Sequence, residues 1–197
     1  QDKKKISEII IAEDVLAQTD KAVAEAFTDW HNQTLANKGK FLTVSPDGLG
    51  VWWEVFRIIQ AGEVKKTNLP WVRAHNASLG PGIRERFLIA EAITETELEA
   101  ALEHRKQIVR HLLNLISSGT ALIVPTAPCI APLRDADEAA LDKFRSRAMA
   151  MTCIAGLAGL PQVSMPALMV DGCPVGVSFI GSPGSDEQLI ELALSLS

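Results

Sequence analysis

The sequence predicts an α/β fold, and three observations carry that expectation. Short apolar runs with continuous or alternating character are spaced as strands. Longer runs place apolar residues at helical spacing, and the two kinds interleave along the chain. The stretch "IAGLAGLPQVSMPALMVDGCPVGVSFIG", Ile154 to Gly181, then joins a helix end to two strand-like runs that meet at a tight turn.

Taken in order, Glu8 to Asp14 reads as a short buried strand. A helix follows with Val23, Phe27 and Trp30 on one face and Gly39 as its stop. "FLTVS" is a second strand. Ser45-Pro46-Asp47 opens a helix carrying Val51, Trp52, Val55, Phe56 and Ile59. Ala77 to Phe87, "ASLGPGIRERF", is rich in turn residues and reads as a loop. Thr94 and Glu97 have capping-box spacing and start a long helix. Leu98, Leu102, Val109, Leu112 and Ile116 form its apolar face, and Gly119 ends it. "ALIVPTAP" is a buried strand that proline terminates, and a helix spans Glu138 to Leu157. Val163 and Met165, then Val175, Val177 and Phe179, alternate with polar neighbours as in paired strands with one buried face. Asp171-Gly172 supplies the turn, because both residues tolerate positive φ. Pro161, Pro166 and Pro174 belong at strand starts, ends or bulges. Ser185 to Gln188 caps a last helix with Leu189, Ile190, Leu192 and Leu194.

Composition narrows the function classes. A chain of 197 residues, 47% hydrophobic and 22% charged, fits one ordinary globular domain. A net charge of −5 argues against nucleic-acid and anionic-membrane surfaces, which need clustered basic residues. The one basic run, Lys3 to Lys5, reads as a solvated end. Cys129, Cys153 and Cys173 are an odd set without metal-clip spacing, so reduced thiols in the cytoplasm are expected. His31, His75, His104 and His111 are scattered, so no metal site is expected. No apolar run approaches the ~20 residues of a membrane span.

A search for reacting groups yields little. Ser117-Ser118-Gly119 lacks nucleophile-elbow spacing and reads as a helix stop, where the dipole disfavours an alkoxide. Cys173 has no basic neighbour in sequence to activate it. Glu95, Glu97 and Glu99 suit the first turn of a helix as a solvated face. Arg145 and Arg147 either grip an anion or pair with local carboxylates. Ser146, Met149 and Cys153 share one helical face, which on spacing alone is core packing.

Three segments, "ALIVPTAPCIAP", "FRSRAMAMTCIAGLAGLPQVSMP" and "CPVGVSFIGSPGSDEQLIELALSL", carry a resemblance. Together they resemble the C-terminal half of amidase signature enzymes. There a buried strand ends in Pro-Thr-x-Pro, and a helix enters a Gly-Leu-Pro-type turn. A Pro-Val-Gly strand then leads to a last helix. The similarity extends loosely back to "IIIAEDVLAQTD" and so covers nearly the whole chain. Within the family, "FRSRA", "IAGLAG", "QVSMP" and "LGPGIRERF" look most like plant-type indoleacetamide amidases and their bacterial relatives.

The resemblance implies a mixed β-sheet covered by helices. It also implies that residues 1–197 form the C-terminal part of a single amidase domain, with the catalytic part outside them. The family's Ser–cis-Ser–Lys triad is carried by a lysine followed downstream by a Gly/Ser-rich stretch that this chain does not contain, so no catalytic residue is assigned. By the same resemblance Ser146, Met149 and Cys153 line the acyl side of the substrate pocket. The implied reaction converts a small apolar or aromatic carboxamide to a carboxylate and ammonia, without cofactor. The implied partners are the N-terminal half of the fold, the amide substrate and, as an option, a second copy in a homodimer. Two alternatives stay open: the glutaminase component of a tRNA-dependent amidotransferase, and a non-catalytic docking or receptor module. The glutaminase branch has an ammonium-binding aspartate where this chain has Met149, and an arginine near Arg86 that binds the substrate carboxylate. A structural ion pair is the other reading of Arg86.

Overall fold

In the computed structural model, residues 4–80 and 82–196 are described; Lys3 of the basic run and Pro81 of "LGPG" lie outside them. Five strands form one mixed sheet: β1 (Glu8–Ala12), β2 (Lys40–Leu42), β3 (Thr120–Pro125), β4 (Gln162–Val170) and β5 (Cys173–Gly181). Their spatial order is β2-β1-β3-β5-β4. β1 is parallel to both β2 and β3, whereas β5 is antiparallel to β3 and to β4. Every residue of β3 is buried, as befits the central strand.

The helices are α1 (Glu13–Leu16), α2 (Lys21–Leu35), α3 (Leu49–Thr67), α4 (Leu69–Ala74), α5 (Ile83–Ala92), α6 (Glu95–Leu115), α7 (Glu138–Ala158) and α8 (Asp186–Ser195). The alternation of side chains along the strands divides them between two layers. Ile10, Leu122, Val124 and Ile180 meet α3, α6 and α7 on one face. Ile11, Ile123, Val175, Val177 and Phe179 meet α2 and α8 on the other, where Val23, Phe27, Trp30 and Leu189 complete the core.

The hairpin turn is as read from the sequence. Asp171 (φ 49°) and Gly172 (φ 74°) both adopt the left-handed region, which matches the twist of the flanking strands. Pro166 sits at an irregularity of the edge strand β4, between Pro166 and Leu168, where no ladder donor is lost. The capping box also forms. Glu97 N donates to Thr94 Oγ1 at 3.2 Å, and Thr94 N donates to Glu97 Oε2 at 2.8 Å.

Several boundaries differ from expectation. Helix α2 ends at Leu35, before the glycine is reached, because Ala36 itself turns left-handed at φ 48°. Ser45 does not cap α3, whose N-cap is Gly48. Its hydroxyl and amide instead donate to Asp14, the amide at 2.8 Å, joining the C-terminal ends of β1 and β2. The second half of "ASLGPGIRERF" is the start of α5 rather than loop. On α6 the buried residues are Ala101, Ile108 and Leu112; of the expected face Leu112 and Ile116 are buried and Leu98 packs against the core, whereas Leu102 points outward at 39% exposure. On α8 only Leu189 and Ala193 are buried, and Ile190 and Leu194 are exposed. Ser185 donates to Ser182 O at 2.7 Å instead of capping α8.

Candidate functional site

The C-terminal ends of β1 and β3 open on the side where parallel strands present ligands in α/β folds. Helix α7 is held at three points along its length. Asp137 caps its start, accepting from Ala140 N at 2.7 Å. Near the middle of the helix, Arg147 reaches across to the loop after α1. Its Nε and Nη2 donate to Gln18 O at 2.8 and 2.5 Å, and Nη2 also donates to Asp20 Oδ1 at 2.8 Å. Asp20 N in turn donates to Pro128 O, in the loop that leaves β3, at 2.7 Å. Near the other end Arg105 of α6 donates through Nε to Leu157 O at 2.7 Å. The guanidinium of Arg147 is therefore committed to the protein's own acceptors, and Arg145 pairs with Asp142 at 3.0 Å. Arg145 takes the local-pairing role, whereas the acceptors of Arg147 are distant along the chain. Arg86 lies on the exposed surface of α5.

Along α7, Ser146, Met149 and Cys153 follow one line from solvent into the core. Ser146 is exposed, Met149 half-buried and Cys153 1% exposed. Cys153 packs with Ala150, Met151, Ile154 and Leu157 in the larger apolar cluster, and its Sγ donates to Ala150 O at 3.4 Å. Burial pushes its thiol up to about 12. At pH 8 that leaves on the order of one thiol in ten thousand ionised. We expect iodoacetamide at pH 8 to leave Cys153 unmodified while the half-buried Cys173 is alkylated, as read by mass spectrometry of tryptic peptides. Equal labelling of the two would show that Cys153 is open to solvent.

A hydroxyl cluster that sequence reading missed lies on the open face of the hairpin. Thr126 Oγ1, just past β3, is 2.8 Å from Ser164 Oγ of β4 and 2.8 Å from Ser178 Oγ of β5. Gln162 Nε2 donates to Ser178 Oγ at 2.9 Å. Gly176 makes room for it, since a Cβ there would stand 2.7 Å from Thr126 Oγ1 and 2.9 Å from Ser164 Oγ. Ser178 is fully buried, whereas Ser164 and Gln162 are exposed, so the cluster grades from core to surface. It offers donors and acceptors for orienting a polar group. Among the described residues its hydrogen-bond partners include no lysine or histidine that would draw off a proton. The signal that was available is the polar alternation Gln162, Ser164 against Gly176, Ser178.

The other serine candidates are structural. Ser117 Oγ lies 3.3 Å from Thr120 Oγ1 at the entry to β3, just beyond the end of α6. Ser45 is 2% exposed and bound to Asp14.

A mixed five-stranded sheet with helices on both faces, and a Pro-Thr loop after β3 beside a hydroxyl-lined hairpin, define an α/β domain. A family model described as Amidase matches residues 11–190, and the chain belongs to that family. It is 34% identical to "Amidase 1" of Oryza sativa subsp. japonica over 176 residues, 85% of this chain and 40% of that protein. It is 28% identical to a component of the glutamyl-tRNA(Gln) amidotransferase of Fusobacterium nucleatum subsp. nucleatum over 131 residues, 64% of this chain and 26% of that one. A solved amidase crystal structure superposes with a TM-score of 0.82 at 23% identity, covering 98% of this chain and 46% of its own. The chain thus spans less than half the length of the relatives it matches. Among the described residues no helix is long and apolar enough to cross a membrane.

Proposed function

We propose that this chain is the C-terminal, substrate-orienting part of a cytoplasmic amidase. The enzyme would convert a small neutral carboxamide, apolar or aromatic, to its carboxylate and ammonia. The observation that carries the reading is the outer line of α7. Ser146 and Met149 present no charge there, Cys153 lies buried beneath them on the same line, and Arg147 holds the helix at the ends of β1 and β3. A wall of that kind suits an uncharged acyl group, because an unpaired ammonium beside Met149 would lose hydration without compensation. The family membership supports amide hydrolysis, and the length of its relatives supports a second part that supplies the nucleophile and its base. The hydroxyls of Thr126 and Ser164 would orient the substrate from the sheet side.

The substitution Met149→Asp in the whole enzyme tests this. It is expected to lower kcat/KM for aryl acetamides by a factor equivalent to about 1–3 kcal/mol while leaving the nucleophile's reaction with a phosphonate unchanged. Steady-state kinetics across neutral and cationic amides measures it. An unchanged preference between the two substrate classes would remove Met149 from the pocket. A wild-type preference for glutamine would favour the glutaminase reading instead.

A further inference from the structure

The hydrogen bonds of the hydroxyl cluster beside β3 fix the order of its protons. Ser164 and Ser178 are register partners on β4 and β5, and Thr126 bridges them with Oγ1 at 2.8 Å from each hydroxyl oxygen. The Thr126 amide donates to Gly176 O at 2.8 Å, which holds the bridge over the hairpin. Ser178 is 0% exposed, so its proton is out of reach of solvent. Its oxygen accepts from Gln162 Nε2 at 2.9 Å, and an amide nitrogen only donates. Among the described residues its other partner is Thr126, so the Ser178 proton goes to Thr126 Oγ1. Thr126 then gives its own proton to Ser164 Oγ. Ser164 is the exposed end of this chain and accepts from within, so its O–H points out of the protein.

We infer that the Ser164 hydroxyl is a fixed outward donor that receives the acceptor oxygen of the ligand, a carboxamide carbonyl before hydrolysis and a carboxylate after it. Gln162, Ser178 and Thr126 are positioning residues that hold it in that polarity. The inference rests on the amidase function proposed above and adds the direction of one contact. A carboxamide accepts only through its oxygen and donates only through its nitrogen, whereas a carboxylate only accepts. A serine hydroxyl free to rotate serves either end of an amide. This one is committed to donating, so it sorts the oxygen toward β4 and the leaving nitrogen away from it. Hydrogen bonds that run in one direction polarise one another, which strengthens the last donor. The cluster also stands at the same end of β3 as the outer line of α7. Two residues beyond Thr126, Pro128 O accepts from Asp20 N at 2.7 Å, and Asp20 Oδ1 accepts from Arg147 Nη2 of α7 at 2.8 Å. Gly176 keeps the relay intact, because a side chain there would press on both Thr126 and Ser164.

Neutron diffraction from crystals of the whole enzyme in heavy water reads the proton order directly. The deuteron between Ser178 and Thr126 is expected on Ser178, and the one between Thr126 and Ser164 on Thr126. The opposite order, which a reversed Gln162 amide would impose, overturns the inference. Calorimetric titration of the whole enzyme with phenylacetate and with indole reads the contact itself. Beyond its ring phenylacetate offers only acceptor oxygens, whereas indole offers an N–H donor and no acceptor. Ser164→Ala is expected to weaken phenylacetate about tenfold, the loss of one hydrogen bond to a charged acceptor, and to leave indole within about twofold. Ser164 is exposed, and the melting temperature of the variant checks the fold. Equal losses for the two probes, no loss for phenylacetate, or no binding of phenylacetate to wild type overturns the inference. The wall along α7 is tested separately. A selective phenylacetate loss in Ser164→Ala, in an enzyme whose substrate preference ignores Met149→Asp, keeps this site and removes that wall.

Discussion

Purified alone, this chain is expected to leave a neutral aryl acetamide unhydrolysed. The hydroxyl partners give the reason. Ser45 donates to a carboxylate, Ser164 and Ser178 share a proton network with Thr126, and Ser185 and Ser195 donate to backbone carbonyls of their own turns. Among the described residues none of these hydroxyls is hydrogen-bonded to a lysine or histidine base. A serine hydrolase without its activated nucleophile loses roughly 10⁶ in kcat, and no orienting wall recovers that factor. Incubation with an aryl acetamide and a serine-directed phosphonate, followed by intact mass, measures both turnover and labelling. Turnover that the probe abolishes, with one serine stoichiometrically labelled, would show a complete catalytic set within these residues. Under the function proposed above, adding the proposed N-terminal part in trans is expected to restore activity.

The second large effect is on stability, at Asp14. Its carboxylate accepts from Val44 N at 3.0 Å, from Ser45 N at 2.8 Å and from the Ser45 hydroxyl. Val44 and Ser45 are 0% and 2% exposed, so water does not readily replace this acceptor. Asp14→Ala strands two amides and a hydroxyl at once and is expected to cost about 3 kcal/mol, since hydrogen bonds to an ionised acceptor contribute about 1.5–3 kcal/mol each and the site relaxes in part. For a chain of this size that corresponds to a fall in Tm of roughly 6–12 °C. Asp14→Asn keeps one acceptor oxygen and should lose less than half as much. A differential scanning calorimetry trace for Asp14→Ala within about 2 °C of wild type would mean that this carboxylate does not hold the ends of β1 and β2 together.

The features legible in the sequence share a short physical range. The Asp171-Gly172 turn depends on two residues that tolerate positive φ. The Thr94–Glu97 capping box depends on hydrogen bonds within one turn. Helix α7, expected over Glu138 to Leu157, runs from Glu138 to Ala158, and the shared line of Ser146, Met149 and Cys153 follows from 3.6 residues per turn. The three family-like segments lie on such elements, which is why the fold and family could be read from them.

What tertiary structure decided was every feature requiring partners distant along the chain. Spacing identifies the amphipathic character of α6, but docking against α3 and α7 selects which arc is buried, and that choice turns Leu102 outward. Arginine at position 147 is compatible with an anion site until the backbone of Gln18 and the carboxylate of Asp20 arrive to occupy it. The hydroxyl cluster depends on register. From the Asp171-Gly172 turn, an unbroken ladder sets Met165 opposite Ser178, and the irregularity between Pro166 and Leu168 shifts the pairing by one so that Ser164 takes that place. Thr126 then closes over Gly176 to meet both serines. A turn or a cap is specified by residues within four positions of each other, whereas a buried arc, a strand register and a long-range ion pair are settled by the shape and chemistry of surfaces that meet only once the chain has folded.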